Sequence, residues 1–227
     1  MTTTTASRTA RVWDLPTRVF HGLMIASFAG AWLTADSERW RLVHVTLGLT
    51  MAGLVLWRLF WGFAGTRHAR FADFVRGPAA VGRYLKSLTG GRPEHHSGHN
   101  PAGGWAILGL LGLTAVTTAL GWAAYSEWGG DWLGEGHELA ANLMIGLVGM
   151  HVAGVLVSSW LHRENLVRAM VTGRKAVDEP DVKPWRVVGM TLLAAVLGFW
   201  ALQWQQAPLA APQAAASQHR HQDHDED

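Results

Sequence analysis

The chain contains five apolar segments, and each is close to the length that crosses the hydrocarbon core of a bilayer. They span residues 19–35, 42–64, 105–125, 139–161 and 187–204 of the 227-residue sequence. A membrane-spanning helix needs about 20 predominantly apolar residues, and its backbone polar groups must be satisfied within the helix. The sequence therefore predicts an all-α integral membrane protein, with a four-helix transmembrane bundle and a fifth C-terminal transmembrane helix.

The polar stretches between these segments set the predicted domain boundaries. Residues 1–18 form a polar leader without the compact apolar region of a signal peptide. Residues 19–175 hold the four-helix domain, and residues 187–204 the additional helix. Residues 205–227 form a His-rich tail, which we expect to be disordered because it has too few apolar residues to build a core.

The long loop at 65–104 contains one further helix candidate. Pro78 suits a first helical turn, Tyr84 and Leu85 belong to an apolar stripe, and Gly90 ends the pattern. Such a helix would either lie on the membrane surface or be solvated.

The Lys and Arg residues are distributed unevenly between the two sides of the predicted bundle. With the N-terminus in the cytoplasm, all 19 basic residues except Arg39, Arg41 and Arg220 lie on the inner side. This asymmetry predicts a bacterial inner-membrane protein with a cytoplasmic N-terminus and a periplasmic C-terminus, if all five segments span. Membrane lipid is then the expected partner of the basic side, and nucleic acid is not.

Cysteine is absent, which excludes disulfides, iron–sulfur clusters, covalent haem attachment and thiolate zinc sites in this chain. Histidine remains the obvious transition-metal ligand. His137 and His151 lie fourteen residues apart in one predicted apolar helix, with His137 at its outer start, so they share a helix face about 21 Å apart. His21 lies near the inner end of the first segment and His44 near the outer end of the second. Depth therefore pairs His21 with His151, and His44 with His137.

Two imidazoles from two helices satisfy both axial positions of a haem iron, while the porphyrin needs an apolar bundle interior. The two pairs therefore predict two b-type haems. A zinc site would need three or four ligands at one depth, and Glu138 could add only one to the outer pair. The remaining alternative is that each histidine is buried and hydrogen-bonded without binding a metal.

Three arginines near these histidines are candidates for binding the haem propionates. Arg18 is one turn before His21, Arg41 is one turn before His44, and Arg58 is near the inner end of the second segment. A guanidinium offers a donor fork to a carboxylate. The alternative role of all three is to fix the topology.

The other histidines are expected to have less specific roles. His162 suits a helix C-terminus, where a cation is favoured. Solvation is expected for His68, His95, His96 and His99, although a cap or a quinone-headgroup contact stays open for His99. His219, His221 and His224 in the tail could bind metal ions weakly or serve solubility.

Several stretches together resemble the bacterial cytochrome b561 and nickel–iron hydrogenase b-type cytochrome family. They are WDLPTRVFHG, RLVHVTLGL, WRLFWGFAGTRHARFADFV, GHNPAGGW and HELAANLMIGLVGMHVAG, within residues 11–175. The resemblance implies a four-helix bundle with haem b bound by histidines of the first, second and fourth helices, which here are His21, His44, His137 and His151. It also implies electron exchange between a membrane quinone pool and a redox partner. The segment 187–204 and the tail depart from the family pattern.

The leading hypothesis is a dihaem cytochrome b that carries electrons between the quinone pool and a redox partner. The acidic outer link with Glu127, Asp131 and Glu135 suggests a soluble partner such as a periplasmic c-type cytochrome. Retention of positive charge inside explains that link equally well. Quinone oxidoreductase activity stays open. The alternatives are a metal-ion or proton transporter with a histidine relay, and a membrane anchor without chemistry of its own.

Overall fold

The computed structural model describes residues 9–90, 94 and 96–206, and in this range the fold is almost entirely helical. Its helices are α1 (Leu15–Leu33), α2 (Arg41–Ala64), α3 (Phe71–Phe74), α4 (Pro78–Thr89), α5 (Pro101–Tyr125), α6 (Trp132–Leu161), α7 (Leu166–Thr172) and α8 (Arg186–Gln206). Two short strands, β1 (Thr9–Arg11) and β2 (Arg174–Ala176), pair antiparallel. His95 and all of the predicted tail after residue 206 lie outside the described residues.

Four helices in the described part of the chain are long and apolar enough to cross a membrane. They are Glu38–Ala64, Pro101–Tyr125, Trp132–Leu161 and Arg186–Gln205. Large apolar side chains on them face outward, for example Phe63, which is 77% exposed, as expected where lipid rather than protein covers the surface. The chain is a multi-pass, all-α membrane protein, as its apolar segments predict.

The first helix is not among these four, and its first two turns contain Arg18 and His21. It nevertheless packs along α2 and α8 as part of the bundle. It begins at Leu15, four residues before the predicted segment, because the carboxylate of Asp14 caps it. Oδ1 of Asp14 accepts the backbone N–H of Thr17 at 2.8 Å.

Asp14 also joins the start of α1 to the end of α2. The side chain is fully buried, and Oδ2 accepts hydrogen bonds from Trp61 Nε1 at 3.1 Å and from Thr66 Oγ1 at 2.6 Å. A buried carboxylate is tolerated when several donors compensate its lost hydration. This carboxylate therefore sets how the first two helices meet.

One end of the bundle collects the chain segments before α1, between α2 and α5, and after α6. There β1 pairs with β2, and the buried Nζ of Lys175 lies 3.1 Å from the carboxylate of Glu164 and donates to the carbonyl of His96. We call this the strand end, and the opposite end, with residues 34–40 and 126–131, the turn end. The strand end holds the segments whose charge predicts the inner side.

The helix predicted in the long loop is present as α4. Tyr84 of its apolar stripe is buried, and the hydroxyl lies 3.5 Å from Oγ of Ser158 on α6. Leu85 of the same stripe is 49% exposed. The helix therefore packs against the bundle through part of the stripe, so it is not simply a solvated loop helix.

Helix α6 begins at Trp132, seven residues before the predicted segment, and ends at Leu161 with His162 as its C-cap residue. The extra turns contain polar residues and two glycines, which hide them from a search for apolar runs. His137 therefore lies in the second turn of the helix, although it precedes the apolar run at 139–161.

Candidate functional site

At the turn end, the structure brings His44 of α2 and His137 of α6 together. Their ring centroids are 6.0 Å apart, and the ring planes are 82° apart. Both side chains are half-buried. Two imidazoles bonded through one nitrogen each to a single metal ion, at about 2 Å, would have ring centres roughly 6 Å apart.

The other nitrogen of each ring is held by a backbone carbonyl. Nδ1 of His44 lies 2.9 Å from the carbonyl oxygen of Ala31 on α1, and Nδ1 of His137 lies 2.9 Å from that of Thr117 on α5. Because a carbonyl only accepts, each Nδ1 carries the proton, and each Nε2 keeps a free lone pair. A metal-ligating histidine is typically oriented in this way.

Gly121 on α5 makes room for one of these rings. A Cβ atom at this position would lie 2.7 Å from Nδ1 and 2.8 Å from Cε1 of His137. Real Cβ atoms do not approach that closely, so any side chain here would displace the ring. The apolar sequence around Gly121 gives no sign of this role.

Nearer the strand end, His21 of α1 and His151 of α6 lie close enough to interact electrostatically. Both are half-buried. Fourteen residues separate His151 from His137 on the same helix, which is about 21 Å of helix rise. His137 therefore lies next to His44, and His151, about four turns along the same helix, lies within electrostatic range of His21.

Arg58 lies within electrostatic range of His99 and Asp14 at the strand end and is only 3% exposed. Its guanidinium carbon lies 5.1 Å from the ring centroid of Phe71 and 5.7 Å from that of Phe74. Within the described residues, Nη1 has no hydrogen-bond partner, and the nearby carboxylate of Asp14 is occupied by other donors. A buried cation with an unused donor fits an anionic group such as a propionate.

His99 is not solvated, contrary to the expectation from sequence. Its ring lies 4.5 Å from that of Trp13 and 4.8 Å from that of Phe74, and Asn100 rather than His99 caps α5. Burial, together with the nearby charge of Arg58, lowers the pKa of His99 to about 3. His99 is therefore neutral at physiological pH, and its Nδ1 has no partner in the described part of the chain.

His68 also differs from the solvated loop histidine that the sequence predicts. It is 4% exposed, with Nδ1 3.1 Å from Asp73 and Nε2 3.2 Å from Glu179. Each ring nitrogen of His68 therefore faces a carboxylate oxygen. The sequence gives little indication that His68 is buried, because its partners Asp73 and Glu179 are 5 and 111 residues away. His96, which the sequence also predicts to be solvated, is half-buried.

The two remaining candidate arginines lie at opposite ends of the bundle. Arg18 donates through Nη2 to the carbonyl of Val171, while its buried Nε has no partner among the described residues. Arg41 is exposed, 3.7 Å from Glu38, and its guanidinium lies over the ring of Tyr125. Arg18 therefore has a clear structural role, and Arg41 is the more accessible of the two.

The residues present fit haem, a planar group whose iron takes two axial imidazoles. The rings at the turn end have suitable separation and one free nitrogen each, and Arg58 provides a buried cation with an unused donor at the strand end. Within the described residues, no three or more His, Asp and Glu side chains form a group that could hold a metal ion by themselves. The class that this fold and site define is a membrane-embedded, helical b-type cytochrome.

Comparison with known proteins agrees with this class. The family model described as "Prokaryotic cytochrome b561" matches residues 12–173. The chain therefore belongs to the prokaryotic cytochrome b561 family, as its sequence motifs predict. As a b-type cytochrome it binds haem b and transfers electrons, and this excludes a mere membrane anchor.

Three relatives are named as cytochrome subunits of hydrogenases. The "Probable Ni/Fe-hydrogenase B-type cytochrome subunit" of Rhizobium leguminosarum bv. viciae is 23% identical, over 60% of this chain and 68% of the relative. The protein of the same name from Rhodobacter capsulatus is 22% identical, over 63% and 65%. The "Probable Ni/Fe-hydrogenase 1 B-type cytochrome subunit" of Escherichia coli (strain K12) is 30% identical, over 38% and 40%.

The chain thus spans about two thirds of the length of the first two relatives and less of the third. No solved structure matches it significantly.

Proposed function

We propose that the chain is a dihaem cytochrome b that moves single electrons between two depths of the membrane. His44 and His137 would bind one haem at the turn end, and His21 and His151 a second haem nearer the strand end. The observation that carries the proposal is the His44–His137 pair, with a ring separation of 6.0 Å and both Nδ1 atoms bonded to carbonyls. That arrangement leaves one nitrogen of each ring for a metal.

Haem b supplies a one-electron iron couple when bound. The carbonyls of Ala31 and Thr117 fix the tautomer and orientation of the ligands, so little rearrangement is needed on a change of charge. If a histidine pair held each haem, the iron would have no site left for oxygen or substrate, which favours electron transfer over oxygenation.

Arg58 would neutralise a propionate of the haem nearer the strand end. Its buried Nη1 has no partner among the described residues, and the two phenyl rings hold the guanidinium in place. Arg41 would serve the other haem from the turn end, and Arg18 would offer its Nε at the strand end. Burial makes Arg58 the strongest candidate of the three.

The electrons would be exchanged with a membrane quinone and with a redox partner. Glu127, Asp131 and Glu135 are exposed at the turn end, and residues 126–136 contain no Lys or Arg. Such a face would attract a protein with a basic docking surface, such as a periplasmic c-type cytochrome. The orientation follows from the basic strand end: the N-terminus would be cytoplasmic and the C-terminus periplasmic in a bacterial inner membrane.

Haem quantification with a reduced-minus-oxidised spectrum of the purified chain tests the haem count. Two haem b per chain with low-spin bands are expected, and one would overturn the dihaem proposal. H44A or H137A should remove the haem of the turn end, and H21A or H151A the other. H162A on the same helix is the matched control and should keep both. Loss of both haems from every histidine variant would contradict the pairing.

Reduction of the haem by an added quinol tests the exchange of electrons with quinone, separately from the haem count. Quinols added to the chain in lipid nanodiscs should reduce the haem, and dithionite gives the full amplitude for comparison. Reduction by dithionite alone would overturn the quinone proposal. A basic c-type cytochrome should then oxidise the chain at a rate that falls as salt is raised. A rate without salt dependence would argue against the acidic docking face.

A further inference from the structure

A groove of about 670 Å³ runs between the last turns of α6 and the short helix α7. The connection between the two helices is tightly bonded. The backbone N–H of Glu164 donates to the carbonyl of Ser159 at 3.0 Å, and that of Leu166 donates to its Oγ at 3.3 Å. Arg163 adopts a left-handed backbone with φ of 51° to complete the turn. The groove is therefore a fixed feature of the strand end.

Apolar side chains line both walls of the groove. Leu156 and Trp160 on α6 are 57% and 78% exposed, and Val167 and Val171 on α7 are 53% and 66% exposed. Each pair is four residues apart, so its members lie on one face of their helix. Exposed apolar rows at the end of a membrane-spanning helix are suited to contact with acyl chains, and tryptophan is common at that depth.

The rim of the groove is positively charged. Arg163 and Arg168 both line it and are exposed, and within the described residues neither forms a salt bridge with a carboxylate. The acidic residue of the lining, Glu164, lies 3.1 Å from Nζ of Lys175. Its charge is thereby compensated, and the two guanidinium groups keep theirs.

We infer that this groove binds a phospholipid with an anionic headgroup, whose acyl chain lies between the apolar walls and whose phosphate meets Arg163 and Arg168. Two arginines provide several donors for phosphate oxygens. A soluble protein partner would leave the apolar walls facing the bilayer, whereas a lipid covers walls and rim together. The inference does not depend on the number of haems or on the redox partners.

Native mass spectrometry of the full chain tests the site, with phosphatidylglycerol and phosphatidylcholine of the same acyl composition as probes. The wild-type chain should bind phosphatidylglycerol preferentially. Each cation near an anionic headgroup strengthens binding about fivefold. The R163Q/R168Q variant should therefore lose up to about 25-fold of that preference. The matched control R76Q/R83Q removes two exposed charges of the same end, outside the groove, and should keep it.

The contrary outcomes are distinct. Equal losses in the two double variants would mean general attraction to a basic surface, and an unchanged preference in R163Q/R168Q would mean that the groove does not bind the headgroup. Inorganic phosphate in large excess should not displace the lipid, and displacement would assign the arginines to a free anion instead. An unchanged haem spectrum and circular dichroism show that the variants are folded.

Discussion

Gly121 and His137 are in such close contact that a single methyl group between them would be excluded. The Cβ of an alanine at 121 would lie 2.7 Å from the ring nitrogen that bonds to Thr117. Helix α5 therefore contributes both the acceptor that orients the ring and the space that the ring needs. The neighbouring helix thus controls the geometry of a proposed ligand without contributing a ligand itself.

Substitution G121A should disturb the haem of the turn end selectively. The added methyl would push the His137 ring away from the Thr117 carbonyl and from the position in which it would bind haem. We expect loss of up to about one of two haems per chain, or a shifted reduction potential of the one that remains. Haem quantification and redox titration measure both.

G112A is the matched control, because Gly112 lies on the same helix and a Cβ there meets nothing within 4 Å. It should retain the spectrum of the wild-type chain. Equal effects of G121A and G112A would reduce the role of Gly121 to general helix packing.

Substitution R58Q should affect the haem nearer the strand end. Removal of a buried cation beside a haem favours the oxidised, more positive iron, so the potential of that haem should fall, or the haem should be lost. R58K keeps the charge and should restore part of the potential. R76Q removes an exposed arginine at the same end and should change neither the reduction potential nor the haem content. A potential that R58Q leaves unaltered would contradict propionate binding by Arg58.

The membrane-spanning helices could be predicted because long apolar runs leave few alternatives. The ends of these helices could not be predicted in the same way. Helix α1 begins after the capping residue Asp14, and α6 begins with polar turns, and a hydropathy pattern detects neither signal. The β1–β2 pair joins residues more than 160 positions apart through three-residue strands, too short to show any periodicity. Tertiary contacts decide such short strands.

For the candidate site, spacing and charge asymmetry predicted which histidines lie at which depth. The structure brings His44 and His137 side by side, and it places His21 within electrostatic range of His151. Gly121 and the carbonyl acceptors could not be predicted, because a backbone atom has no signature in the sequence. The burial of His68 was missed for a similar reason: its partner Glu179 lies in a distant polar segment with the composition of an ordinary linker.

Substitution D14N tests how much the junction of α1 and α2 depends on one carboxylate. The substitution replaces one of the two accepting oxygens by an NH₂ group, which is a donor. That group would face another donor, either the backbone N–H of Thr17 or the side-chain donors of Trp61 and Thr66. We expect a loss of about 2 kcal/mol in the free energy of unfolding, since hydrogen bonds to a charged, buried group are broken. Denaturation of the chain in detergent measures it. D36N, at an exposed position of the turn end, should change the stability little, and a similar loss in both variants would contradict the junction role.

Glu179 gives the strand end a predictable response to acid. Its pKa lies below the ordinary value of 4.5, because Oγ of Ser97 donates to it at 2.5 Å and because the Arg67 guanidinium and the His68 ring interact with it. The ionised form is therefore favoured more in the folded than in the unfolded chain. Its contribution to stability is fully present above pH 4.5 and disappears as the pH falls through the lower, folded-state pKa.

Substitution E179Q should therefore lower the Tm at pH 7, by the equivalent of about 1.5 kcal/mol for hydrogen bonds to a charged group. The difference from the wild-type chain should shrink as the pH is lowered below 4.5, because the wild-type carboxylate is then protonated as well. Thermal unfolding at a series of pH values gives both quantities. D178N changes the exposed neighbouring carboxylate and should follow the wild-type curve. A constant gap between E179Q and wild type across this range would mean that the glutamate acts through its shape and not through its charge.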